Sequence, residues 1–162
     1  MVVIGMIIFL DFDDVICLNR PYGGHDVFHR RNSPSDLWER LFSPSCIQQL
    51  RAIHDAHHPW YVLTTSWVVY ADRPGFDRIL TRSGLPFVAT SLHADWCVSQ
   101  GARDSRADAI RRWLDAHEEA SVLILDDEAS GTGLRDWPEA ILCRVNEGLT
   151  PEHVSRAHSV LR

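Results

Sequence analysis

The feature that most constrains this chain is a run of apolar residues near its N-terminus that stops abruptly at acids. Val2 to Leu10 are nearly all apolar, and Asp11-Phe12-Asp13-Asp14 follow directly. An apolar run without alternation is typical of a central strand that is covered on both faces. The run is too short to cross a bilayer and lacks the basic flank of a signal peptide. It therefore predicts a buried strand with Asp11 at its carboxyl end.

The rest of the chain alternates apolar strands with amphipathic helices. Further strands are predicted at 60–63, 86–89, 121–125 and 140–143. Helices are predicted from the Ser43 cap to Pro59, from Pro74 to Gly84, over 104–117 and from Thr150 onward. This order indicates an α/β fold, a three-layer Rossmann-like sandwich around a mostly parallel five-stranded sheet. Residues 17–42 show no clear period and form either a long loop or a minimal insertion.

Composition narrows the class of protein. The chain has 162 residues with no repeat or linker, which predicts a single domain over residues 1–162. Its net charge of −6 argues against a protein that wraps nucleic acid by bulk charge. The four cysteines are scattered without metal-ligand spacing, and a chain with a full core and no signal peptide is expected in a reducing cytoplasm. No membrane partner is expected, because the N-terminal apolar run is too short to span a bilayer.

Polar clusters follow three of the predicted strands. They are Asp11/Asp13/Asp14, Thr64/Thr65/Ser66 and Asp126/Asp127/Glu128. Because the carboxyl ends of parallel strands meet at one edge of a sheet, the clusters should converge. So many carboxylates in one cleft would repel one another unless a cation joined them. Oxygen ligands without nearby cysteine or histidine favour Mg²⁺, which usually also binds a substrate phosphate. The sequence therefore predicts a magnesium site and a phosphorylated ligand, held by Thr64 or Thr65.

These motifs resemble those of the haloacid dehalogenase (HAD) superfamily, a large group of mostly magnesium-dependent phosphatases. The segment Ile7 to Val15 resembles its first motif, an apolar strand followed by Asp-x-Asp-x-Val/Thr. Val62-Leu63-Thr64 resembles the second motif, and Leu123 to Asp127 resembles the fourth. The resemblance covers nearly the whole chain in the expected order.

The resemblance implies a role for each site residue. Asp11 would attack phosphorus and form an aspartyl-phosphate, and Asp13 would act as general acid and base. Mg²⁺ would be held by Asp11, the backbone carbonyl of Asp13, and Asp126 or Asp127. An acid at position 13 is typical of phosphatases and phosphotransferases and not of dehalogenases. Asp14 receives no role beyond the turn.

The departure from the superfamily is its third motif, which normally supplies a lysine. The stretch before the fourth strand contains only arginines. Arg106, expected about one turn into the helix, is the preferred replacement, and Arg103 is the second choice. Both are expected to bind phosphate together with Thr64, Thr65 and Ser66.

At finer grain the chain is similar to a small HAD group without a cap domain that is linked to RNA-repair proteins. The features that match are Thr65-Ser66-Trp67, an Arg-x-x-x-Ile-x-x-Trp-Leu helix, Leu125-Asp126-Asp127 and Gly148-Leu149-Thr150. That group usually has Ser-Trp-Arg, whereas Val68 follows Trp67 here. Neither possible cap position, the first between Asp11 and Thr64 and the second at 90–103, leaves room for a domain. An open site suits a phosphate on a large substrate, such as a nucleic-acid end or a phosphoprotein.

Several alternatives stay open at this level. The loop 17–42 could act as a small lid over a phosphorylated metabolite. The missing lysine is compatible with a catalytically weak module that binds phosphate or a partner. A receiver domain is disfavoured because the second acid pair follows the fourth strand. The residues His25, His29, Arg30 and Arg31 form either a substrate-facing basic patch or a solvated loop, and the tryptophans are expected mainly in packing.

Overall fold

A computed structural model describes residues 5–118 and 121–162. Its sheet has five strands in the order β3-β2-β1-β4-β5, all parallel. The strands are β1 (Met6–Leu10), β2 (Trp60–Leu63), β3 (Leu92–Cys97), β4 (Ser121–Asp127) and β5 (Ala140–Cys143). The predicted α/β class is confirmed. Residues 2–4 of the predicted first strand lie outside the described ranges.

The helices connect these strands. They are α1 (Gly24–Phe28), α2 (Leu37–Arg40), α3 (Pro44–His57), α4 (Arg73–Arg82), α5 (Pro86–Ala89), α6 (Arg106–Asp115) and α7 (Pro151–Val160), with a 3₁₀ helix at Ser66–Val69. Segment 17–42 contains α1 and α2, so it is a small, partly helical insertion. In the described ranges, no helix is both long and apolar enough to cross a membrane.

Side chains of the central strand alternate between two apolar layers, because successive residues of a strand point to opposite faces. Ile8 and Leu10 belong to the layer built with α3, α4, α5 and α7. Ile7 and Phe9 belong to the other layer, where α6 packs through residues such as Trp113. The rings of Phe9 and Trp113 meet edge to face with centroids 5.2 Å apart. The sheet is therefore covered on both faces, as a three-layer sandwich requires.

The third strand was predicted in the wrong place. Pro86 to Ala89 form the short helix α5, and the strand follows at Leu92–Cys97. Pro86 has no backbone N–H to give to a sheet, and it occupies the start of a helix, where that donor is not needed. The strand itself lies at the edge of the sheet and is only partly buried, with Ala94 and Asp95 both exposed. It therefore lacks the apolar run that marks the central strands.

The connections that could carry a cap domain are short. Between β1 and β2 the chain forms only α1, α2 and α3, and between β3 and β4 the described residues form only α6. No additional domain interrupts the described parts of the chain. The predicted three-layer sandwich without a cap domain is confirmed for the described residues.

Candidate active site

The register of the sheet brings three polar residues side by side. Leu10 of β1 pairs with Leu63 of β2 and with Leu125 of β4. The residue after each of these leucines therefore emerges at the same level, and the three are Asp11, Thr64 and Asp126. Backbone hydrogen bonds continue the ladder there, from Asp11 N to Leu125 O at 3.0 Å and from Thr64 N to Leu10 O at 2.9 Å. Regular strand pairing thus builds the centre of the site.

Alternation along β1 decides which layer Asp11 faces. Phe9 belongs to the α6 layer, and Asp11 is two residues further along, so it emerges on the same side. In β4, Asp126 likewise lies two residues after Ile124, which packs in the α6 layer. Its side chain therefore emerges on the same face as that of Ile124. The two carboxylates therefore point toward the helix that carries the predicted replacement for the missing lysine.

Arg106 is in contact with both carboxylates. Its Nε lies 2.9 Å from Asp126 Oδ2, in an ion pair without hydrogen-bond alignment, and its Nη2 lies 3.9 Å from Asp11 Oδ1. Its Nη1 donates a hydrogen bond to the carbonyl oxygen of Thr64. The guanidinium is buried. Arg106 is the first residue of α6 and not one turn into it, as the sequence had suggested.

The start of α6 is an unfavourable place for a cation, because the helix macrodipole is positive at its N-terminus. The ion pairs of Arg106 with Asp11 and Asp126 offset this repulsion. The backbone N–H of Arg106 donates to Thr132 Oγ1 at 2.8 Å. Ser105 caps the helix by accepting from the Asp108 N–H at 3.1 Å. Both bonds hold the guanidinium over the acidic cluster.

Three buried carboxylates form the acidic cluster, namely Asp11, Asp126 and Asp127, each offering an oxygen within 4.8 Å of the others. Asp127 Oδ2 accepts from the N–H groups of Ala129 and Ser130 at 3.0 and 3.1 Å. Asp11 Oδ2 and Asp127 Oδ1 are buried without a hydrogen-bond partner among the described residues. Unpartnered buried oxygens of this kind are open to a ligand. The donor set fits a hard cation such as Mg²⁺.

Electrostatics also favour a cation here. Burial raises the pKa of Asp11 well above its ordinary value, the charge of Asp126 raises it further, and Arg106 opposes the change. Burial likewise raises the pKa of Asp126, again against the effect of Arg106. One guanidinium cannot neutralise three carboxylates. A divalent cation would compensate the remaining negative charge.

Asp13 is oriented by two hydrogen bonds, one to each carboxylate oxygen. Asn19 Nδ2 donates to Oδ1 and Trp67 Nε1 donates to Oδ2, both at 3.1 Å. Burial raises the pKa of Asp13, and these two hydrogen bonds oppose the rise. The sequence pattern assigned the tryptophans mainly to packing and did not predict a contact between Trp67 and Asp13. A signal was available, because Trp67 directly follows the second polar cluster and a buried indole N–H needs an acceptor.

The three residues after β2 have different environments. Thr64 is buried, and its Oγ1 has no hydrogen-bond partner among the described residues. Thr65 Oγ1 accepts from the Trp67 N–H at 3.3 Å and so caps the 3₁₀ helix, whereas Ser66 is exposed. All three line a pocket of about 550 Å³ together with Arg106. Asp11 does not line this pocket. It contacts Arg106, which does.

Two further residues that the sequence singled out, Arg103 and Asp14, lie outside the acidic cluster. Arg103 is exposed in the turn before α6, and no contact between it and the acidic cluster is found within the described ranges. Asp14 adopts a left-handed backbone with φ of 59°. Its Oδ1 accepts from the Asn146 N–H at 2.9 Å, which joins the loop after β1 to the loop after β5. Asp14 therefore has a structural role that the sequence did not indicate.

Together, the fold and the strand-end residues define a HAD-type α/β domain, with an acid after β1, a hydroxyl after β2 and an acid pair after β4. Residues 7–154 match the family described as HAD domain in Swiss Army Knife RNA repair proteins. The chain belongs to this family, as the resemblance had implied. Comparisons with curated proteins and with solved structures gave no match. Membership of this family supports the assignment of the chain to the general class of HAD-type hydrolases.

Proposed function

We propose that this protein is a magnesium-dependent phosphomonoester hydrolase that acts through an aspartyl-phosphate. The observation that carries the proposal is the buried cluster of Asp11, Asp126 and Asp127, with unpartnered oxygens and a buried guanidinium beside it. Burying these charges at the carboxyl ends of β1 and β4 costs free energy unless ligands compensate them. A divalent cation and a bound phosphate would supply that compensation.

The chemistry proceeds in two displacements at phosphorus. An oxygen of Asp11 forms a bond to phosphorus while the bond to the leaving oxygen breaks, and Asp13 gives its proton to that oxygen. Asp13 then takes a proton from water, whose oxygen displaces Asp11 and releases inorganic phosphate. The two hydrogen bonds from Asn19 and Trp67 keep the Asp13 carboxylate in one orientation during both steps. Arg106 and the Thr64 hydroxyl stabilise negative charge on the phosphoryl oxygens.

The metal would be held by Asp11, Asp126, Asp127 and the backbone carbonyl of Asp13. When bound, Mg²⁺ offsets the charge of the carboxylates and of the phosphoryl group. The absence of a cap domain among the described residues leaves the phosphate site accessible to a large molecule. The substrate class that fits best is an exposed phosphate on a macromolecule, a nucleic-acid end or a phosphoprotein.

The test is phosphate release from an aryl phosphate by the purified protein, with Mg²⁺ or with a chelator. We expect activity with Mg²⁺ only, and we expect Asp11→Asn to lower it below detection because the amide is a poor nucleophile. Asp14→Asn is the matched control, since Asn tolerates the left-handed backbone and can still accept from the Asn146 N–H. Full activity of Asp11→Asn, or activity in chelator, would refute the proposal.

A further inference from the structure

A second, smaller cleft lies beside Asp13. It has a volume of about 220 Å³, and its lining includes Asp13 and five rings, those of His25, Phe28, His29, Trp67 and Tyr70. We call it the ring cleft. Ser66 and Tyr70 line both the ring cleft and the larger pocket. The two cavities therefore adjoin at the 3₁₀ helix.

The position of the ring cleft indicates which part of a substrate it would hold, the phosphoryl group or the leaving group. The larger pocket is lined by Thr64 and Arg106, which face the phosphoryl group under the proposed function. The ring cleft is lined by Asp13, the residue that protonates the leaving oxygen. A proton transfer requires that oxygen to lie within hydrogen-bond reach of Asp13. The ring cleft is therefore the cavity beside Asp13 that is available to the group attached to that oxygen.

The walls of the ring cleft are aromatic. The rings of Phe28 and Tyr70 are stacked with centroids 5.3 Å apart and planes 26° apart. His29 meets the ring of Tyr70 edge on, with centroids 4.8 Å apart. Tyr70 nevertheless keeps 55% of its surface exposed. A stacked pair of rings of which one is left half exposed suits stacking with a further planar ring.

Basic residues flank the segments that line the ring cleft. His25 lines the cleft, and Arg20, Arg30 and Arg31 are exposed on and around α1. Arg30 forms an ion pair with Asp26 at 3.1 Å, whereas the described residues give no ion pair for Arg20 or Arg31. These exposed arginines are close in sequence to the residues that line the cleft, and the cleft lining itself contains the Asp13 carboxylate. A polyanionic strand that leaves the cleft would be attracted to these arginines.

We propose that the ring cleft binds the base of the terminal nucleotide of a nucleic-acid strand whose terminal phosphate lies in the active site. This inference rests on the proposed function and narrows its substrate class. The stacked rings recognise a planar base, and the basic residues of α1 and its flanks attract the phosphodiester chain. A phosphorylated peptide side chain offers neither a nucleobase nor a polyanionic backbone.

The experiment compares two oligonucleotides that differ only in the terminal nucleotide, which carries a base in one and is abasic in the other. Both carry a terminal phosphate, and 5′ and 3′ ends are tested separately. Binding is followed by fluorescence anisotropy and hydrolysis by phosphate release. Stacking of one base on an aromatic ring typically changes affinity by roughly 5-fold to 150-fold. We expect wild-type protein to prefer the base-bearing end by a factor in that range.

Substitutions of aromatic residues then test whether the preference for the base-bearing end depends on the ring cleft. Tyr70→Ala should bring the ratio between the two oligonucleotides close to one, and Tyr70→Phe should retain it because the ring remains. Trp60→Ala is the control, since Trp60 is also a half-exposed aromatic residue but begins β2 at the opposite end of the strand. A wild-type ratio of one, or a ratio unaffected by Tyr70→Ala, would overturn the inference. Faster turnover of a phosphopeptide than of any oligonucleotide would also overturn it.

Failure of the inference can be separated from failure of the proposed function. If no substrate releases phosphate, the proposed function is wrong, while the binding ratio still decides whether the ring cleft takes a base. If an aryl phosphate is hydrolysed and the binding ratio is one, the hydrolase assignment stands and the base site is wrong.

Discussion

Arg106 makes contacts that a lysine could not reproduce. Its three nitrogens are directed to Asp126, Asp11 and the Thr64 carbonyl. A guanidinium is a planar fork with several donors, whereas an ammonium is a single point of charge. The chain contains no lysine at all. The positive charge that faces Asp11, the proposed nucleophile, is therefore supplied by an arginine that also links β2 to β4.

Two substitutions of Arg106 should separate the effect of its positive charge on phosphate release from the effect of its hydrogen-bonding geometry. We expect Arg106→Lys to lower kcat/KM for phosphate release by roughly 10-fold to 100-fold, because a hydrogen bond to a charged group contributes about 1.5–3 kcal/mol. Arg106→Gln should lower it further, since it removes the cation as well. Steady-state phosphate release measures both effects.

The control for Arg106 is Arg111→Gln on the same helix. Arg111 is exposed and pairs with Asp108 at 3.7 Å, an interaction that is worth little in water. Its removal should leave phosphate release near the wild-type rate. An Arg106→Gln variant as active as Arg111→Gln would show that Arg106 has no part in the reaction.

At the scale of secondary-structure elements, the N-terminus of α6 joins the active site to the rest of the fold. The Ala107 N–H donates to the Thr132 carbonyl at 3.0 Å. Gly133 has φ of 77°, and a Cβ there would lie 2.9 Å from the Cβ of Ala107. The loop after β4 therefore approaches α6 closely. This close approach aligns Arg106 with the carboxylates at the end of β4.

Two helix caps provide a matched test of this element. Ser105 caps α6 and Ser43 caps α3, each by accepting a backbone N–H. Replacing either serine by alanine should lower the free energy of unfolding by about 1 kcal/mol. Only Ser105→Ala should also lower phosphate release, because it loosens the turn that begins with Arg106.

Urea unfolding and phosphate release on the same protein samples distinguish the two caps. Equal losses of activity in Ser105→Ala and Ser43→Ala would mean that the position of the α6 N-terminus does not limit catalysis. Equal stability losses with unequal activity losses are the expected result.

For the whole molecule, we expect the buried carboxylates of the candidate site to lower stability at neutral pH when no cation compensates their charge. Burial raises the pKa values of Asp11 and Asp126 above their unfolded values. A raised pKa means that the folded protein holds these protons more tightly than the unfolded chain does. Their contribution to stability is therefore present below pH of about 4, the ordinary Asp value, and is lost as the pH rises through the raised pKa values.

The prediction is a pH-dependent stabilisation by magnesium. Because the metal binds the ionised carboxylates, Mg²⁺ should raise the melting temperature more at pH of about 8 than at pH of about 5. At a metal concentration of about 100 times Kd, the gain in unfolding free energy is about 2.7 kcal/mol. Thermal unfolding with Mg²⁺ or chelator across a pH series measures it.

The contribution of the acidic cluster to the pH dependence of stability is obtained by comparing the wild type with a variant that lacks one of its carboxylates. Acids outside the cluster, such as Asp104 and Asp108, have lowered pKa values, owing mainly to backbone hydrogen bonds, and change stability with pH in the opposite direction. The wild type is therefore compared with Asp126→Asn, in which both the pH-dependent loss and the magnesium effect should be smaller. An identical magnesium shift at both pH values would contradict the prediction.

Local sequence patterns were sufficient for most of the architecture. The apolar runs that end at Asp11, Thr64 and Asp126 marked three neighbouring strands, because a central strand must be apolar on both faces. The start of α3 was readable from Ser43 and Pro44. The third strand was misplaced because an edge strand needs no such run, and its polar positions resemble those of a loop.

By itself, the sequence determined the fold class, the central strands and the acids and hydroxyl at their carboxyl ends. Only the tertiary structure decided that Arg106 and not Arg103 meets the acidic cluster, since this depends on which face of the sheet α6 covers. It also decided that Trp67 donates to Asp13, 54 residues away in the chain. Apolar runs and caps are local signals, whereas these contacts join residues that are distant in sequence and meet only through packing.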